Sequence, residues 1–178
     1  MTKYVALVRG IGPTNPNMKS EKLKALFEEL GFNNVQTLIT SGNVIFESNT
    51  GDVESMEARI EKALPVKLGF NSTAIISSQA KLKSLVAQDP YRGQEHGRDT
   101  YLLVTFFKRT PSITFELPYQ PADKPYKIIG KTEGAIYGLV DLTAGKTPDY
   151  MAWLERQFGK DITSRTWKTI QRILDKMN

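Results

Sequence analysis

The chain predicts an α+β fold: two ferredoxin-like (alpha-beta plait) subdomains with mainly antiparallel sheets, plus C-terminal helices. Three observations carry this expectation. Residues 1–77 alternate as β-α-β-β-α-β, the split βαβ order in which two helices cover one face of a four-stranded antiparallel sheet. The second half repeats the alternation less cleanly, without repeating any sequence. Two amphipathic patterns of helical period then close the chain. We place the subdomains at residues 1–77 and 78–178, with a soft boundary near 78–90. The 178 residues, 40% of them hydrophobic, can build one ordinary core or two small ones that lean on each other.

The elements follow in order. Lys3 to Arg9 is an apolar strand. Ser20 stands as the N-cap of a helix whose Leu23, Leu26, Phe27 and Leu30 form one apolar stripe, ended by Gly31. Val35 to Thr40 and Val44 to Glu47 are β-prone runs around Ser41-Gly42-Asn43, a turn rich in residues that tolerate positive φ, hence a hairpin. Asp52 to Leu64 places Val53, Met56, Ile60, Ala63 and Leu64 on one helical face, and Thr73 to Ser77 is the next strand. Ser78 to Gln88 reads as a helix burying Leu82, Leu85 and Val86, followed by a polar loop, Asp89 to Asp99, and an apolar strand, Tyr101 to Phe107. Pro111, Pro118, Pro121 and Pro125 mark an irregular connection rather than a central strand. Tyr126 to Ile129 and Ala135 to Val140 form a hairpin around Gly130 to Gly134. The closing helices are Pro148 to Phe158, started by Thr147, and Arg165 to Met177, started by Ser164.

Composition narrows the function. With no cysteine there is no disulfide framework, thiolate zinc site or cysteine nucleophile, which fits a reducing compartment. The first strand begins at once and meets Arg9, leaving no room for the apolar core of a signal peptide. No apolar run approaches membrane-spanning length, so the expected location is the cytoplasm, with no membrane partner. Lys plus Arg of 24 against Asp plus Glu of 19, a net charge of +5, favours anionic partners.

Three separated motifs carry a family resemblance. Tyr4-Val-Ala-Leu-Val-Arg9-Gly10-Ile11, then Thr40-Ser41-Gly42-Asn43-Val44-Ile45-Phe46, then Thr163-Ser164-Arg165-Thr166-Trp167-Lys168-Thr169 stand in the order found in the bacterial family called domain of unknown function 1697, which the chain resembles over nearly its whole length. The resemblance implies two subdomains of ferredoxin-like character in a cytoplasmic bacterial protein, and no established activity. Where relatives usually carry an asparagine and a glycine pair after Arg9-Gly10-Ile11, this chain has Gly12-Pro-Thr-Asn-Pro-Asn17. A function that needs a flexible glycine loop there does not carry over.

Nucleotide-binding signatures fail on inspection. Gly10 and Gly12 begin a G-x-G-x-x-G pattern, but position 15 is Asn15, and Pro13 and Pro16 stiffen the loop. A narrower anion site remains there, where Arg9 at a strand end meets the free N–H groups of the Ser20 helix. Gly145-Lys146-Thr147 and Gly130-Lys131-Thr132 lack the upstream glycine of a P-loop, having Val140 and Pro125 in its place. The single histidine, His96, reads as a solvated loop residue. No metal-ligand spacing occurs, so neither metal nor cofactor is expected. The aromatic pattern of an RRM is absent as well. In the last helix Arg165, Lys168, Arg172 and Lys176 share one sector opposite Trp167, Ile170, Ile173, Leu174 and Met177. The open sheet face of the first subdomain calls for a cover, by the second subdomain or by self-association.

The expected function is binding of an anionic small molecule or nucleic acid, through Arg9, Gly10, Ser41, Gly42, Asn43, Lys146, Arg165, Lys168 and Arg172. The alternative is an enzyme acting on a phosphorylated or carboxylated metabolite, in which Arg9 and Lys146 orient the anion and Ser41 or Asn43 stands near the chemistry.

Overall fold

The computed structural model describes residues 1–10, 19–39, 42–145 and 148–178. Among these residues there are five helices and two four-stranded antiparallel sheets, an α+β architecture. The chain divides into two compact units, one formed by Met1–Lys83 with Ile173–Asn178 and the other by Ser84–Arg172.

The first unit runs β1 (Thr2–Val8), α1 (Ser20–Glu29), β2 (Asn33–Leu38), β3 (Asn43–Ser48), α2 (Val53–Leu68) and β4 (Ala74–Ser78), with sheet order β2-β3-β1-β4. Period-2 alternation sends Tyr4, Ala6 and Val8, Val44 and Phe46, and Ala74 and Ile76 into one core. There they meet Leu23, Leu26 and Phe27 of α1 and Met56, Ile60 and Leu64 of α2. Val5, Leu7, Ile45 and Ile75, on the opposite side of the pleat, are buried too. These strands therefore read as continuous apolar runs rather than as alternations.

Two helix signals were incomplete. Ser20 is the first helical residue of α1, and Lys19 before it makes no side-chain cap. In α2 the helix continues through Pro65 to Leu68 and stops only at Gly69, whose φ of 76° supplies the left-handed cap. Asp52 starts α2 as a true N-cap, accepting the Ser55 N–H at 3.0 Å.

β4 lies at a sheet edge, where unpaired N–H groups invite pairing with other chains. Two glutamates one turn apart on α2 occupy that edge. Glu57, only 3% exposed, accepts the Ile76 N–H at 2.9 Å, and Glu61 accepts the Ala74 N–H at 2.9 Å.

The second unit repeats the sheet pattern with one replacement. After α3 (Gln79–Ala87), strands β5 (Thr100–Phe107), β6 (Tyr126–Thr132), β7 (Ala135–Asp141) and β8 (Ile162–Thr166) pair in the order β6-β7-β5-β8, with α4 (Tyr150–Phe158) before β8 and α5 (Trp167–Met177) after it. In place of a helix between β5 and β6 stands the proline-rich segment. Its Ile113, Phe115, Leu117 and Tyr119 pack on the core of Tyr126, Ile128, Tyr150 and Trp153. Tyr119 and Ile128 exchange two backbone hydrogen bonds of 2.8 Å, so the segment also covers the free edge of β6.

β8 overturns the expected start of the last helix. Ile162–Thr166 pairs with Phe107–Leu103, and Arg165 faces Val104 across the ladder instead of standing on a helix. The α5 cap is Thr166, whose Oγ1 accepts the Thr169 N–H at 3.2 Å, and not Ser164. β6 likewise continues past Gly130 to Thr132, leaving Glu133-Gly134 as the turn. Helix α4 begins at Tyr150 with Asp149 before it; Thr147, expected as its cap, lies outside the described residues.

Gly138 of β7 is fixed by a neighbour. A Cβ there would sit 2.0 Å from the Tyr150 hydroxyl and 2.7 Å from its Cζ. Gly138→Ala is therefore expected to destabilise the protein by about 1–3 kcal/mol or more through overpacking, read as a lower urea midpoint. Glu57→Ala should cost about 1–3 kcal/mol by leaving the buried Ile76 N–H without its acceptor. Glu57→Gln should cost clearly less, because its amide oxygen still accepts; equal losses in the two variants would refute that role.

Candidate functional site

The residues expected to bind an anion fall in two places. At one end of the first sheet β1, β3 and β4 are tied together: the Val8 N–H donates to the Gly42 carbonyl at 2.8 Å, the Arg9 N–H to the Thr73 carbonyl at 2.9 Å, and the Ser72 hydroxyl to the Arg9 carbonyl. The β1–β3 register, which sets Leu7 opposite Asn43, gathers Arg9, Gly10, Gly42 and Asn43 there. Gly10 and Gly42 take φ near 71° and 72°, and Ile39 takes 57°, a costly value for a β-branched residue. Asn43 is 1% exposed and donates its side-chain amide to the Leu38 carbonyl at 3.0 Å. Its visible work is closing the β2–β3 hairpin. Ser41 lies outside the described residues.

The remaining described candidates belong to the second unit. Arg165 is half-buried on β8; its guanidinium donates to Thr163 Oγ1 at 2.7 Å and to the Ser164 carbonyl at 2.8 Å, and burial lowers its pKa to about 10. It serves the strand rather than an open basic surface. Lys168 and Arg172 are exposed on α5 one turn apart, and among the described residues neither makes an ion pair. Lys146 lies outside the described residues.

Lys168 opens onto a cleft of about 420 Å³ that the sequence does not reveal, lined also by Tyr91, His96, Leu102, Trp167 and Gln171, with Asp89, Glu95 and Gln94 at hand. The loop after α3 builds one wall. Turns close it at 3.1 Å from the Asp89 N–H to the Val86 carbonyl and at 3.0 Å from the Gln94 N–H to the Tyr91 carbonyl. Tyr91, 1% exposed, anchors the loop: its hydroxyl bonds the Leu103 carbonyl at 2.8 Å and the Gly138 carbonyl at 3.2 Å. Its ring meets Tyr137 and Trp167 edge to face. Burial drives the Tyr91 pKa far above the ordinary phenol value, so this hydroxyl is a neutral structural donor.

His96 departs from expectation, since it is not a solvated loop residue. It is half-buried, its ring stacks on Tyr101 at 4.7 Å and 12°, and its Nδ1 accepts the Leu102 N–H at 3.1 Å. Burial lowers its pKa below the ordinary value, and the positive charge of Lys168 acts in the same direction. Trp167 is core, as expected, at 8% exposed, yet it also lines the cleft. Among the described residues no group of three or more His, Asp or Glu is placed to hold a metal ion. None of the helices described is long and apolar enough to cross a membrane.

Sequence reasoning undervalued His96 and missed Tyr91. A usable signal existed, for a tyrosine in an otherwise polar loop is the natural anchor of that loop.

Because folded His96 binds its proton more weakly than the unfolded chain, acidification should favour unfolding. Stability is full above the unfolded value of about 6.5 and falls as pH drops through the window below it. His96→Gln should remove this component of the slope when melting temperature is followed against pH. An unchanged slope would show that His96 titrates normally.

A family model described as "Protein of unknown function (DUF1697)" matches residues 1–137. No curated protein matches the chain. Among solved structures, a conserved bacterial protein, SP0830 from Streptococcus pneumoniae, is similar with a TM-score of 0.74 at 20% identity, covering 99% of each chain. That likeness is one of fold.

Proposed function

The chain belongs to the DUF1697 family, and on that footing we propose that it binds a small anionic molecule in the cleft beside His96 and Lys168. One observation carries the reading: in a concavity of about 420 Å³, the size of pocket that takes a small ligand, stands an ammonium with no ion pair among the described residues. Beside it a half-buried imidazole and the amide of Gln171 offer polar groups for orientation, over an aromatic floor of Tyr91 and Trp167. The same sheet order in both units supports reading each as a ferredoxin-like plait, the second with its first helix replaced by the proline-rich segment.

A second reading takes the cleft as the site of an enzyme for a phosphorylated or carboxylated metabolite, favoured by the imidazole and the ammonium that one concavity brings together. The end of the first sheet, with Arg9 and the Gly42-Asn43 turn, is the competing location for the anion.

A melting-temperature screen against phosphorylated and carboxylated metabolites, at low and moderate salt, tests the proposal. Lys168→Ala should weaken binding of an active compound at least tenfold, about 1.4 kcal/mol, without changing the melting temperature of the free protein. Arg9→Ala should leave affinity unchanged. The opposite pattern would move the site to the first sheet. Stabilisation by polyanions alone, lost as salt rises, would replace the cleft with a basic surface on α5.

A further inference from the structure

The chemistry of His96 allows the ligand class to be narrowed, an inference that rests on the cleft being the binding site. The Leu102 N–H donates to Nδ1 at 3.1 Å, so Nδ1 must hold a lone pair, and in the neutral ring the proton resides on Nε2. Nε2 has no protein partner among the described residues. Stacking on Tyr101 fixes the ring plane. We infer that His96 serves the cleft as a neutral Nε2–H donor, which together with the Lys168 ammonium recognises the oxygens of an oxyanion, phosphoryl or carboxylate.

The surroundings hold this state. Protonation would place a hydrogen on Nδ1 against the Leu102 N–H, losing the bond and setting two donors face to face. Lys168 on α5 opposes a second positive charge, Glu95 in the same loop and Asp89 in the turn after α3 favour one, and Tyr101 on β5 and Tyr91 bring none. Burial adds to the side of Lys168 and outweighs an opposing contribution from the Leu102 backbone, so the pKa lies below the ordinary value and the ring is mainly neutral at pH 7. A ring that already carries its proton on Nε2 cannot accept another there. The cleft is thereby built to bind acceptor oxygens rather than to abstract a proton through His96.

The chain has one histidine, so its imidazole can be read without assignment. In the free, ¹⁵N-labelled protein at pH 7.5, long-range ¹⁵N–¹H spectra should show a pyridine-type Nδ1 and a pyrrole-type Nε2. The opposite tautomer, or an imidazolium, would overturn the inference even if anions bind, leaving the cleft as a site of different chemistry. Inorganic phosphate and acetate are then titrated separately. Movement of the Nε2 signal with phosphate only assigns a phosphoryl group, and with acetate only a carboxylate. Movement with neither overturns the oxyanion assignment, although the tautomer stands. His96→Gln, whose amide N–H takes the place of Nε2–H, should keep affinity within a few-fold, whereas His96→Ala should lose at least tenfold. Equal losses in two variants that melt like the parent would also overturn it.

Discussion

A single phenol holds the cleft in place. Tyr91 carries its hydroxyl under the sheet of the second unit to the carbonyls of Leu103 and Gly138, on β5 and β7. By doing so it fixes a loop that has no regular structure of its own between α3 and β5. Without that anchor the twelve positions between α3 and β5, most of them polar, would have little apolar area to hold them, and loops so placed sit at the low-stability end of a fold. The aromatic floor of the cleft and the placing of the loop that carries His96 follow from where Tyr91 is buried against Trp167.

Both sheets solve the same edge problem by different means. In the first unit a helix supplies carboxylates to the outer N–H groups of β4; in the second, an extended proline-rich segment adds one bridge beside β6 and presses Phe115 and Tyr119 on Trp153. The proline spacing explains the choice. Proline removes backbone donors that a helix would need, while alternate side chains of an extended segment can still face a core. The two units thus share strand order without sharing the elements that cover it.

The fold of the first 78 residues was legible because its signals are local. Apolar runs are bounded by turn residues, and Gly31 and Gly42 mark stops that their positive φ values explain, whereas Gly69, the actual end of α2, was passed over. Even the meeting of Arg9 with Gly42 follows from the strand order, since the end of β1 must lie beside the start of β3 once they pair antiparallel. β8 was not legible. Thr163, Ser164, Arg165 and Thr166 are polar, their partner β5 is more than fifty positions earlier, and Arg165 stands at helical spacing from Lys168 and Arg172, so the local pattern favoured a longer helix. The cleft was hidden for the same reason: Lys168 was singled out for charge, but its neighbours His96 and Tyr91 come from a distant loop. The hydrogen bond that sets the state of His96 depends on backbone geometry that no residue pattern encodes.

The make-up of the first unit bears on how the chain is produced. Lys3 gives its ammonium and Gln79 its amide to the carbonyl of Met177, and Ile173–Asn178 belongs to the same unit as β1. On the ribosome, at about 5–20 residues per second, the first unit must therefore wait several seconds, while the second unit is translated, before its last segment exists. During that interval an incomplete N-terminal body is exposed in the nascent chain, so the tempo of translation and the reach of holding chaperones become part of its folding.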